Sequence, residues 1–229
     1  MPSHQKILLF LSSALATAIS VVVLGICMSR TWVETTMDCT RNGTNFSNGS
    51  AVVNFSLFDG FMTRTLCPLF GGQDQFEVFD QLAEIGGTPL VLHGLVVCLL
   101  VLCLLCSACS ILISIYNSVS NPYETYMGPI GIYVCSSLSA CLSVVVLIIF
   151  AVNVNSLAED LVQSYAGSIV AEVKNKTSAF YLGYFLVLLY TGLSLIAVLL
   201  IYIYEHAAYT HRREQQRPTE DAPKEIMMY

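Results

Sequence analysis

Cysteine is the residue type whose spacing in this chain most resembles a chemical site. Four of the nine cysteines are spaced like the thiolate ligands of an iron–sulfur cluster: Cys98, Cys103, Cys106 and Cys109. They lie in an uncharged apolar run, where a helix would turn Cys98 and Cys103 roughly 140° apart. The four thiols therefore cannot converge on one cluster, and we expect them to face the protein core or lipid.

His93 is the one imidazole inside an apolar run. Transporters and intramembrane enzymes usually pair such a group with another ionisable residue, and the apolar runs contain no Asp, Glu, Lys or Arg. We expect His93 to be a hydrogen-bonded interface residue, with a proton relay as the alternative. No nucleophile motif, nucleotide-binding loop or metal-ligand set occurs elsewhere in the sequence. The sequence therefore predicts a protein that is not an enzyme and has no cofactor, metal or small-molecule substrate.

The elements that carry these residues are apolar runs of membrane-spanning length. Hydrophobic residues make up 55% of the 229 residues and charged residues 11%, at a mean hydropathy of +0.67, whereas soluble domains average about 25% charged residues. Spanning helices need ~20 apolar residues and satisfy their own backbone. We predict transmembrane helices at residues 7–28, 90–116, 130–152 and 180–204. The first is expected to be a retained signal anchor rather than a cleaved signal peptide.

Asn-x-Ser/Thr sequons indicate which loops face outward. All five lie in two of the loops: Asn42, Asn45, Asn48, Asn54 and Asn175. N-glycans are added only on the lumenal side, and the basic cluster Arg212, Arg213 and Arg217 also favours a cytosolic C-terminus. Residues 29–89 and 153–179 are therefore predicted to be extracellular loops. The N-terminus (1–6), the middle loop (117–129) and the tail (205–229) are predicted to be cytosolic, the tail from His206 without order.

The first extracellular loop has the alternation of a small sheet. Residues 52–58 and 32–37 are predicted strands that could pair, and residues 73–85 are predicted to form a short amphipathic helix. In the second loop, apolar residues at intervals of four suggest that the third helix projects beyond the bilayer. The predicted fold class is an all-α membrane protein, a claudin-like bundle of four transmembrane helices with a small β-containing extracellular loop.

Cys39 and Cys67 are the two cysteines outside the apolar runs. Both are predicted to be extracellular, where disulfides persist. A bridge between them would enclose the sequon-rich segment and contribute about 3–4 kcal/mol in the loop-entropy model. Two free thiols are the alternative.

Two further segments carry predictions. A cytosolic turn between the second and third spans would be fixed by Asn121 and Pro122 and by a second break at Gly128 and Pro129. The last residues suit strand addition to a PDZ-type groove: Met227, Met228 and Tyr229. An inert tail is the alternative to that scaffold partner.

The connection at residues 116–133, YNSVSNPYETYMGPIGIY, resembles the corresponding connection of the clarins, which are four-span membrane glycoproteins. The opening MPS, the segment SLFDG at 56–60 and the closing Met228 and Tyr229 are also similar to clarin features. Within the family, this connection and residues 212–223 resemble the third paralogue most, whereas the pair Cys39 and Cys67 is more similar to the first two. A more distant resemblance links Trp32 and residues 56–58 to claudin-type tetraspans.

The clarin resemblance implies a non-enzymatic multi-pass glycoprotein of the plasma membrane that organises or assists other membrane proteins. Family members are linked to sensory cells, particularly the hair cells of hearing. The expected partners are the lipid bilayer, other membrane proteins and a PDZ scaffold, with no nucleic acid. A claudin-like component of cell contacts or paracellular barriers and an auxiliary channel subunit are the alternatives.

Overall fold

The architecture was obtained as a computed structural model that describes residues 3–41, 49–65, 71–119, 128–166 and 171–215. The helices are α1 (Ser3–Met28), α2 (Val78–Ile85), α3 (Gly87–Val119), α4 (Pro129–Ala166) and α5 (Leu182–Gln215). The strands are β1 (Val33–Arg41), β2 (Gly49–Phe55), β3 (Asp59–Thr65), β4 (Gly72–Glu77) and β5 (Ala171–Phe180). Four helices, α1, α3, α4 and α5, are long and apolar enough to cross a membrane.

These four long helices form the predicted bundle. Around it, α1 packs against α3 and α5, and α4 packs against the same two helices. In each helix the buried positions recur at alternating intervals of three and four residues. In α3 they are Pro89, His93, Val96, Leu100, Cys103, Ser107, Ser110, Ser114 and Asn117. A repeat of 3.5 residues per turn keeps one face inward only when the helices wind around each other with a left-handed twist.

The sheet is antiparallel and has the strand order β4-β3-β2-β1-β5. The predicted pairing within the first loop is confirmed, because β1 pairs β2 with Val33 opposite Phe55. The second loop supplies β5, which pairs with the other edge of β1 and places Thr35 opposite Ser178. The β-content is therefore larger than predicted, since the two loops that carry the sequons both contribute strands to one sheet.

The helix predicted at residues 73–85 is wrong in its first half. Residues 72–77 form β4, and the helix α2 is confined to Val78–Ile85. Phe76 explains the difference, because strand alternation turns it into the core, 7% exposed, while Gln75 and Glu77 face outward. Pairing with β3 thereby satisfies the backbone and buries the aromatic ring, which outweighs the helical periodicity of the local sequence.

Two of the long helices, α4 and α5, extend well beyond the predicted apolar runs. The third long helix, α4, continues to Ala166, and Leu157 on its extension is 1% exposed, which confirms that this helix projects past its apolar run. The helix α5 continues to Gln215. The prediction that the tail lacks order from His206 is therefore wrong up to that residue, because ten helical residues follow Glu205.

One hydrophobic core runs from the sheet into the bundle. It includes Val53, Phe55 and Met62 of the sheet, Leu82 of α2, and residues from each long helix, such as Leu100 and Phe150. Because contiguous apolar packing resists relative movement of its parts, the sheet and the half of the bundle next to it should behave as one body.

Candidate functional site

Trp32 lies where the end of α1, the start of α5 and the sheet meet. It has 0% exposure, and its indole Nε1 donates a hydrogen bond to the carbonyl oxygen of Cys27 at 2.9 Å. Its ring packs edge-on against Phe150 of α4, with centroids 4.7 Å apart, and against Tyr184 of α5 at 6.5 Å. One side chain therefore contacts three of the elements that join the sheet to the bundle.

Gly183 allows the first turn of α5 to lie close to the segment between α1 and β1. Its amide donates to the carbonyl oxygen of Thr31 at 3.0 Å, and its own carbonyl oxygen accepts from Cys27 Sγ at 3.2 Å. The amide of Tyr181 donates to the carbonyl oxygen of Trp32 at 2.8 Å. A Cβ at position 183 would collide with the Trp32 ring and lie 2.8 Å from the Thr31 carbonyl oxygen. The first turn of α5 thus approaches the 27–32 segment at a distance that only glycine permits.

His93 forms a second link between bundle and sheet. Its Nε2 lies 2.8 Å from the carbonyl oxygen of Leu57, in the turn between β2 and β3, and its side chain is fully buried. The ring of Phe79 in α2 contacts it edge-on, with centroids 5.2 Å apart. The predicted hydrogen bonding of His93 is confirmed, and its partner is a backbone carbonyl in the turn between β2 and β3.

Hydroxyl groups line the buried face of the bundle farther from the sheet. Ser110 Oγ of α3 lies 2.9 Å from Ser136 Oγ of α4, and Ser143 Oγ of α4 lies 2.7 Å from Thr191 Oγ1 of α5. Ser107 Oγ lies 2.8 Å from the hydroxyl oxygen of Tyr190. We call these residues, together with the buried Ser114 of α3 and Ser139 of α4, the hydroxyl seam. Hydrogen bonds of this kind hold helices together in membranes, where apolar contacts alone give no preference for protein over lipid.

Tyr190 is the member of the hydroxyl seam whose loss should cost most. Its hydroxyl also donates to the carbonyl oxygen of Cys103 at 3.2 Å, so that it reaches two points of α3 from α5. We expect Tyr190→Phe to lower the free energy of unfolding by about 1–2 kcal/mol, measured by thermal unfolding in detergent. The matched control is Tyr202→Phe in the same helix, whose side chain is 57% exposed. Equal effects of the two substitutions would contradict this role.

Only some residues of the hydroxyl seam could be recognised from the sequence. Ser136 and Ser139 of α4 stand out as small residues suited to close helix contact, and both are buried. Ser107, Ser110 and Ser114 of α3 are harder to recognise because cysteines and leucines surround them. Their spacing of three and four residues is the signal that could have identified them.

The four cysteines of α3 face different directions. Cys103 is buried and its Sγ donates to the carbonyl oxygen of Ser139 at 3.5 Å, whereas Cys98 and Cys109 are exposed on the outside of the bundle. This agrees with the angular argument against a cluster. Among the residues that the structure describes, no group of three or more His, Cys, Asp or Glu side chains is arranged to hold a metal ion.

Two predicted glycosylation sites fall within the described residues. Asn54 is half-buried on β2, a central strand, between Glu34 of β1 and Phe61 of β3. Asn175 is exposed on the edge strand β5, where the register with β1 shifts and its φ is 51°. Its Nδ2 donates to Asp38 Oδ2 at 3.1 Å. Asn tolerates this left-handed conformation better than most residues, and its side chain is exposed.

The other predicted site residues are placed only in part. Cys39 lies on β1 opposite Gly49, and Gly128 and Pro129 mark the start of α4, where the amide of Gly131 donates to the carbonyl oxygen of Gly128 at 3.1 Å. Proline suits the first turn of a helix. The remaining residues lie outside those described: Asn42, Asn45, Asn48, Cys67, Asn121, Pro122, Met227, Met228 and Tyr229.

The family model that matches the chain and the similar proteins all carry the name clarin. A family model described as Clarin-2-like matches residues 4–183. Clarin-3 of Homo sapiens is 32% identical over 233 residues, and the match covers all of both chains. Clarin-3 of Mus musculus is likewise 32% identical, over 235 residues and all of both chains. Clarin-1 of Homo sapiens is 25% identical over 198 residues, which cover 81% of this chain and 84% of the relative.

Proposed function

Because the chain belongs to the clarin family, we propose that it is a non-enzymatic membrane glycoprotein that organises or assists protein complexes of the plasma membrane. Sensory hair cells or epithelial cells are the proposed setting, on family resemblance alone. In this proposal both termini are cytosolic, residues 29–89 and 153–179 face outward, and the Met227–Tyr229 end is a ligand for a PDZ scaffold.

The continuous core shared by sheet and bundle is the observation that carries the proposal. Trp32 and His93 hold the sheet to the helix ends through hydrogen bonds of 2.9 and 2.8 Å. A rigid body of this kind presents fixed surfaces, one on the sheet and others on the helices. The outward stripe of α1 is apolar along its length, with Leu8, Leu11, Leu15, Ile19, Val22 and Ile26 exposed. Such stripes suit lipid and the helices of neighbouring membrane proteins.

Proximity labelling from the chain at its native expression level tests the proposal. We expect a reproducible set of plasma-membrane proteins, and the same set should co-purify in mild detergent. A matched chain extended by one residue after Tyr229 should lose PDZ proteins from the set and keep the rest. A labelled set indistinguishable from that of an unrelated four-span protein would contradict an organising role.

The two alternative functions predict different experimental results. A barrier component should concentrate at cell–cell contacts and change transepithelial resistance when it is removed. An auxiliary channel subunit should co-purify with a pore-forming protein and change its currents. We expect neither effect, and either one would replace the proposed function.

The outward orientation predicts how the two described sequons respond to substitution. Asn175→Gln should reduce the mass of the protein by one glycan, because the site lies on an open strand edge. Asn54→Gln should change the mass less, since the residue is half-buried between two strands. Electrophoresis with and without glycosidase measures both. A chain whose mobility never responds to glycosidase would contradict the proposed orientation.

The proposed Cys39–Cys67 disulfide predicts a non-additive pair of substitutions. Cys39→Ser and Cys67→Ser should each lower stability by about 3 kcal/mol, as expected for a lost loop cross-link. The double substitution should cost little more than either alone, because both remove the same bond. Thermal unfolding of the four proteins in detergent is the measurement. Additive effects would indicate two separate thiols instead.

A further inference from the structure

Two buried polar atoms lie at the outer end of the α3–α4 contact without a hydrogen-bond partner among the described residues. They are Nδ1 of His93 and Oδ1 of Asn153. The two side chains are 0% and 1% exposed. An unsatisfied buried acceptor costs about 1–3 kcal/mol, so two at one place call for an explanation.

The two residues lie about one helical turn apart along the α3–α4 contact. The Nδ2 of Asn153 lies 3.4 Å from the carbonyl oxygen of Pro89, one helical turn before His93 on the buried face of α3. Side chains on a helix lean toward its N-terminus. The His93 imidazole therefore covers the turn that contains Pro89, which is where the Asn153 carboxamide lies.

The partners of these two residues determine which atoms are left over. Because the carbonyl oxygen of Leu57 can only accept, the Nε2 of His93 must carry a proton. A charged ring would be costly in this apolar setting, so the imidazole is neutral and its Nδ1 is an acceptor. Because the carbonyl oxygen of Pro89 can only accept, Asn153 must direct its Nδ2 toward it, which leaves Oδ1 on the other side. The site thus contains two acceptors and needs a ligand with two donors.

We propose that a water molecule binds at this site and donates one hydrogen to His93 Nδ1 and the other to Asn153 Oδ1. Water is the small neutral molecule that offers two donors, and buried waters typically serve otherwise unsatisfied polar groups. A bound cation would instead place a charge in an apolar setting with two neutral ligands, which is costly. The water extends the Leu57–His93 link to α4, so that the sheet, α3 and α4 share one hydrogen-bonded chain. This site is independent of the proposed function.

X-ray radiolytic footprinting of the whole chain in lipid nanodiscs tests the site, because radiolysis of a bound water oxidises the side chains that touch it. We expect oxidation of His93 despite its burial. Phe150, 1% exposed and one turn from Asn153 on α4, is the dry control and should stay unoxidised. In Asn153→Leu, oxidation of His93 should fall to the level of Phe150.

Two results would overturn the proposal. One is a native chain in which His93 is as protected as Phe150, and the other is unchanged oxidation of His93 in a folded Asn153→Leu protein. If that variant does not fold, the native chain labelled with ¹⁵N-histidine provides the test. Water-edited solid-state NMR should then transfer polarisation from water to Nδ1 of His93, and a complete lack of transfer would equally reject the site.

Discussion

Replacing Gly183 by alanine is expected to lower the free energy of unfolding by about 3 kcal/mol, the upper part of the range for overpacking a tight site. The added methyl group would collide with the Trp32 ring and lie 2.8 Å from the carbonyl oxygen of Thr31. Trp32 is enclosed by Phe150 and Tyr184, and Thr31 is held by the hydrogen bond from Gly183 itself. Neither neighbour can move without disturbing the junction between sheet and bundle.

Gly192 provides a matched control in the same helix. A Cβ built at Gly192 has no neighbour within 4 Å, so alanine there should remove the conformational freedom of glycine without a clash. Gly192→Ala is therefore expected to be neutral or stabilising by up to about 1 kcal/mol. Thermal unfolding in detergent should show opposite signs for the two variants. Equal melting temperatures would mean that α5 does not approach the 27–32 segment as closely as the structure shows.

The bundle could be predicted from the sequence because its determinant is local. A run of about 20 uncharged apolar residues has one stable form in lipid, which is a helix. The pairing of β1 with β2 was also predictable, since both segments alternate and lie in the same loop. In the helices and in these two strands, the local residue types favour the structure that forms.

The sheet beyond β2 depends on contacts that no local pattern reveals. The partner of Thr35 on β5 is Ser178, which lies beyond two transmembrane helices in the chain. Phe76 is spaced from Phe79 and Leu82 as on one face of a helix, and only the ladder with β3 decides that residues 73–77 form a strand. Tertiary pairing overrides local preference in both places.

The contacts that join the sheet to the bundle could be predicted from the sequence only in part. His93 was recognisable as a hydrogen-bonded residue because it is the lone imidazole in an apolar run. Its partner, the carbonyl oxygen of Leu57, is a backbone atom and has no residue-type signal. The closeness of Gly183 to Trp32 is equally invisible, since glycines are common in membrane helices for many reasons.

Trp32→Ala is expected to lower the free energy of unfolding by about 3–5 kcal/mol, as for other large buried aromatics. The substitution removes the ring contacts with Phe150 and Tyr184 and the hydrogen bond to Cys27. Trp32→Phe should retain most of the packing and cost less, because the Cys27 carbonyl oxygen still accepts from the amide of Arg30 at 3.2 Å. The control is Phe58→Ala, which removes an aromatic ring that is 42% exposed.

The position of Trp32 also predicts where the damage should appear. Since one core joins sheet and bundle, the cavity left by Trp32→Ala should loosen β1 and the first turns of α5 together. Hydrogen–deuterium exchange in nanodiscs should therefore accelerate in both segments and leave the half of α3 that lies far from the sheet, with its Ser110–Ser136 contact, unchanged. Acceleration confined to β1 would show that the sheet unfolds on its own, and the rigid-body basis of the proposed function would then be lost.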